Sequence, residues 1–96
     1  MRLEPAPYPI APARLRDVVI DVANWLGWEH WVDASGQAMH LIPPDAAPIT
    51  VAIAQCPAPA RVSIDCHETQ EAVARILIDE LHGAILRRTN QERNPT

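Results

Sequence analysis

The chain predicts a two-layer α+β domain, ordered helix, four-strand antiparallel meander, helix, with both helices on one sheet face. Three observations predict it. Apolar residues recur at helical spacing near both ends of the chain, alternating segments separated by Gly- and Pro-containing breaks lie between them, and the connections are too short for parallel crossovers. A chain of 96 residues has room for one core and no second lobe.

The first twelve residues carry Pro5, Pro7, Pro9 and Pro12, which forbid helix and remove backbone donors. They are expected to form an extended, polyproline-like arm pinned to the domain by Leu3, Tyr8 and Ile10. A Pro-rich ligand for an SH3-type domain is the weaker alternative for the arm. The domain proper is expected over residues 13–89, followed by a polar, disordered tail over 90–96.

Leu15, Val18, Val19, Val22 and Leu26 define the apolar stripe of the first helix. Pro12 suits its first turn and Gly27 its end, while Arg14, Asp17, Asp21 and Asn24 occupy the opposite side. Residues 28–33 and 38–42 read as a hairpin turning at Ser35-Gly36, and residues 49–54 and 61–66 alternate as two further strands. The last helix is expected from about residue 68 to 89, with Val73, Ile76, Leu77, Leu81, Ala84 and Ile85 on one stripe and Thr69 as N-cap. At ~1.5 Å per residue it outruns strands of six residues, so its far end is expected to overhang the sheet.

A turn at Ser35-Gly36 pairs Val32 with Met39, Trp31 with His40 and His30 with Leu41. The helix-covered face then receives Trp28, His30, Val32, Met39, Leu41, Ile49, Val51, Ile53, Val62, Ile64 and Cys66. The other face receives Glu29, Trp31, Asp33, His40, Ile42, Thr50, Ala52, Ala54, Arg61, Ser63 and Asp65. An apolar centre inside a charged rim is how protein interfaces are commonly built. The arm covering this face is the competing expectation. Of the three tryptophans, Trp25 and Trp28 are assigned to the core and Trp31 to an exposed anchor.

Net charge is −4, from twelve acidic and eight basic residues, all eight of them Arg. That balance argues against binding through phosphate neutralisation, so no nucleic acid is expected, and the acidic residues are too scattered for a DNA mimic. Without Lys, no Schiff base or lysine general base can be assembled. No run approaches the ~20 apolar residues of a membrane span, and no secretory signal is evident, so cytoplasmic residence with reduced Cys56 and Cys66 is expected.

Chemistry is weakly signalled. Cys56, Cys66 and His67, with His30, His40 or His82, are the candidate metal ligands, yet no CxxC or HxxxH spacing gathers them. A Cys/His nucleophile pair lacks any surrounding signature, and Gly27, Gly36 and Gly83 are too dispersed for a phosphate loop. Asp65, His67 and Glu68 are read as helix-entry capping. Double-stranded-RNA-binding domains share the order helix, strands, helix, but their basic cluster at the start of the last helix has no counterpart here, where His67, Glu68 and Glu71 stand.

The sequence therefore points to a non-enzymatic domain without metal or cofactor that binds a protein partner as an inhibitor or adaptor of a larger machine. Phage anti-defence proteins such as anti-CRISPRs are a class with this character. The expected contact residues are Trp31, His40, Ile42, Glu29, Asp33 and Arg61. A metal-binding or thiol-dependent domain using Cys56, Cys66 and His67 is the alternative. A third possibility is a homodimeric structural subunit joined through Ile85 and Leu86 on the overhanging helix.

Overall fold

The structure, a computed structural model, describes residues 1–5, 7–34, 38–54 and 60–93. The elements run β1 (Arg2–Leu3), α1 (Pro12–Leu26), β2 (Glu29–Val32), β3 (Ala38–Ile42), β4 (Ile49–Ile53), β5 (Val62–Asp65) and α2 (Glu71–Arg93), with a single 3-10 turn (Glu68–Gln70) leading into α2. The sheet is antiparallel in the order β1-β5-β4-β3-β2. The α+β class holds, with five strands among the described residues where four were expected.

The added strand comes from the Pro-rich arm. Arg2 and Leu3 precede the first proline, keep their backbone donors, and pair with Asp65 and Ile64. Further along, Tyr8 exchanges two backbone hydrogen bonds of 2.9 Å with Ala60. The arm thus follows the β5 edge instead of crossing the sheet.

The hairpin register is the expected one: His30 opposite Leu41, Trp31 opposite His40 and Val32 opposite Met39. Its proposed turn at Ser35-Gly36, and the break around Cys56, lie outside the described residues. One sheet face supplies Met39, Leu41, Ile49, Val51, Ile53, Val62 and Ile64 to a single core. The helices cover it with Leu15, Val18, Val19, Val22 and Ala23 from α1 and Ala74, Leu77, Leu81 and Ile85 from α2. Val32 shares this face but lies on the outermost strand, and stays 38% exposed.

Gly27 ends α1 in the left-handed conformation, φ 76°, which lets its own N–H and that of Trp28 bond back to the last turn. Trp28 then drops into the core, as expected. Trp25 does not: it is 78% exposed. It sits roughly a quarter turn from the centre of the buried stripe, where α2 offers Glu80, Ala84 and Arg87 instead of large apolar side chains.

α2 begins differently from the expected Thr69 cap. His67 is the cap: its Nδ1 accepts the Thr69 N–H at 3.2 Å, and the Gln70 side chain accepts the His67 N–H at 3.4 Å. The amide of buried Gln70 also donates to the Ala47 carbonyl, tying the helix entry to the loop before β4. The buried stripe runs through Ala74, Leu77, Leu81 and Ile85, leaving Ile76 exposed. The helix continues to Arg93, so four residues assigned to the tail are helical. Asp21 of α1 pairs with Arg88 of α2, bridging the helices.

Candidate functional site

The helix-free face of the sheet carries the candidate site, and the register explains its arrangement. One row of directly paired residues crosses all five strands: Arg2, Asp65, Thr50, His40 and Trp31. Three of its four neighbouring pairs make side-chain contacts. Arg2 Nε meets Asp65 Oδ1 at 3.2 Å, Thr50 Oγ1 and His40 Nδ1 share a hydrogen bond of 3.2 Å, and the His40 ring stacks on Trp31 with centroids 3.9 Å apart and planes at 26°.

The stack orients Trp31 while leaving it 52% exposed. A tryptophan held from behind loses little rotamer freedom on meeting a partner, so more of its burial energy reaches the complex. If a partner covers the remaining ~125 Å² of a side chain that buries up to ~250 Å², the gain is about 3 kcal/mol.

Beside this row runs a second one of small side chains. Ala38 pairs with Ala52 and Ala52 with Ser63, forming the floor of a groove of about 650 Å³. Asp33 closes one end and Glu4 with Pro5 and Pro7 the other, while Ala54 and Arg61 flank it. The arm therefore borders the face without covering it, and every described side chain on it remains at least partly exposed.

All six expected contact residues share this face. Glu29, Trp31 and Arg61 are exposed, while Asp33, His40 and Ile42 are partly so, with Glu29 paired opposite Ile42. Sequence reasoning missed the groove floor and the contribution of Arg2. The signal for the floor was present in Ala38, Ala52 and Ser63, small residues where strands ordinarily place larger ones.

No protein family, curated protein or solved structure in the comparisons matches this chain. The site stands on its own geometry.

The remaining candidates lie elsewhere. Ile85 is 3% exposed and lines one cavity with Tyr8, Pro7 and Pro9, so of the two residues assigned to a second copy Leu86 alone is exposed. Cys66 is buried, the ring of His67 is engaged in capping, and Cys56 lies outside the described residues. Among the described residues, no three of His, Cys, Asp and Glu converge as a metal site, and no helix is long and apolar enough to cross a membrane.

Proposed function

We propose that the protein is a small, non-enzymatic binding domain whose open sheet face contacts a larger protein and acts as an inhibitor or adaptor by steric occlusion. The observation that carries this reading is the Trp31–His40 stack. It presents a half-exposed aromatic anchor on a rigid strand, beside a groove floored by alanine and serine and bordered by Glu4, Asp33 and Arg61. Steric inhibition of a defence complex, in the manner of anti-CRISPR proteins, is a setting this mode of action suits.

Capture from native lysate with wild-type protein, Trp31→Ala and Trp25→Ala tests the proposal, after circular dichroism shows all three folded. Loss of ~3 kcal/mol is about a hundredfold in affinity. A partner retained by wild type and Trp25→Ala but lost with Trp31→Ala supports the open face. Equal retention by Trp31→Ala and loss with Trp25→Ala places binding on the helical side and refutes it.

A further inference from the structure

The outer edge of β2 has no neighbouring strand among the described residues. Which backbone groups it leaves unpaired follows from one hydrogen bond: the Asp33 N–H donates to the Ala38 carbonyl at 3.0 Å, so Asp33 and Ala38 form a hydrogen-bonded pair. Antiparallel pairs alternate. Trp31–His40 and Glu29–Ile42 are therefore the other bonded pairs, and His30 and Val32 direct their N–H and C=O groups outward.

Edge strands are commonly protected by proline, lysine, a bulge or a covering loop. β2 has neither proline nor lysine, and it exposes Trp31 on one face and Val32 on the other. Trp31 and Val32 are two of the exposed large apolar side chains among the described residues.

We propose that the partner docks by adding a strand to the β2 edge, and that the added segment carries a basic, apolar, basic stripe on the side facing Trp31. This rests on the reading of the open face and supplies its docking mode. Four backbone hydrogen bonds to His30 and Val32 set the register. On the open face the incoming residues then stand opposite Glu29, Trp31 and Asp33, which favours positive charge at both ends and an apolar side chain between them.

In the register centred on Trp31 the same charges disfavour a second copy as the occupant. The two-fold register centred on Trp31, which engages His30 and Val32 of both chains, places Glu29 opposite Asp33 of the second copy twice over. Like charges opposite each other destabilise the pairing. A basic segment converts the same positions to attraction.

The probe is a short end-capped alternating peptide with valine at outward-bonding positions and arginine, leucine, arginine on the face towards Trp31. Its glutamate counterpart is the control. Binding to the full chain is followed by calorimetry and residue-resolved amide exchange, with wild type, Val32→Ala, Val32→Pro and Trp31→Ala. Val32→Pro removes an outward N–H and leaves the β2–β3 ladder its donors, while Val32→Ala keeps that N–H.

The expected result is binding of the arginine peptide at millimolar concentration or below, slowed exchange at His30 and Val32, little change with Val32→Ala, and a loss of about tenfold or more with Val32→Pro. Binding that is insensitive to Val32→Pro but lost with Trp31→Ala overturns strand addition while leaving the open-face reading standing; insensitivity to both overturns both. No binding, or equal binding of the glutamate peptide, overturns the basic-segment proposal. Concentration-dependent protection of His30 and Val32 without peptide also overturns it, in favour of self-pairing.

Discussion

The ring of Tyr8 lies 5% exposed in the core, yet its hydroxyl meets no hydrogen-bonding partner among the described residues. An unpaired buried hydroxyl costs ~1–3 kcal/mol, so Tyr8→Phe keeps the packing and removes the penalty. For a domain of this size each kcal/mol is worth roughly 4–8 °C in Tm. Tyr8→Phe is therefore expected to melt several degrees above wild type, whereas Tyr8→Ala, which deletes the ring, loses about 3–5 kcal/mol.

Burial also pushes the Tyr8 phenol above its ordinary value, because the phenolate is poorly solvated there. The unfolded chain consequently gives up this proton first. The stabilisation of the neutral phenol is fully present below the unfolded pKa of ~10 and is lost as pH rises through the higher folded value. Tyr8 is the only tyrosine, so phenolate absorbance reports it alone. Thermal melts of wild type and Tyr8→Phe across alkaline pH should diverge above pH ~10, with wild type falling faster. A Tyr8→Phe variant destabilised by ~1 kcal/mol or more would show that the hydroxyl is paired and refute this reasoning.

Three further substitutions probe the frame of the site. His67→Ala removes the acceptor for the Thr69 N–H and should cost ~0.5–2 kcal/mol in urea unfolding, while His67→Asn should restore most of it. Gly27→Ala should cost ~1 kcal/mol through backbone conformation alone, since nothing lies within 4 Å of the added carbon, and Gly27→Asn should cost less. Trp25→Ala should change stability by no more than ~0.5 kcal/mol, because the side chain is mostly in solvent.

Sheet register was legible because side-chain alternation constrains it: a slip of one residue would have exposed Met39 and Leu41. That same register places the six candidate contacts on one face. The arm was harder to read. Its prolines announce an extended chain, but the pairing of Arg2 and Leu3 with β5 is a long-range event that local propensity does not encode. Tyr8 of the same arm joins the core and lines one cavity with Ile85, which leaves Leu86 as the exposed member of the expected dimer pair.

Trp25 illustrates a different limit. Helical periodicity puts it at the margin of the stripe, and its exposure was decided by the small and charged residues α2 places beside it. His67 is legible as part of the helix-entry capping cluster, but the sequence points to Thr69 as the N-cap itself, because histidine is unusual there and its role needs the ring nitrogen aimed at the Thr69 N–H. The groove floor requires Ala38, Ala52 and Ser63 to be aligned across three strands, which becomes visible only when all the pairings are known.

The most direct test of the open face is oxidative footprinting of the three tryptophans, comparing free protein with the complex that wild-type protein captures. The expected result is strong protection of Trp31 on binding, unchanged reactivity of exposed Trp25, and low reactivity of buried Trp28 in both states. Protection of Trp25 with Trp31 left reactive would contradict the assignment and move the interface to the helical side.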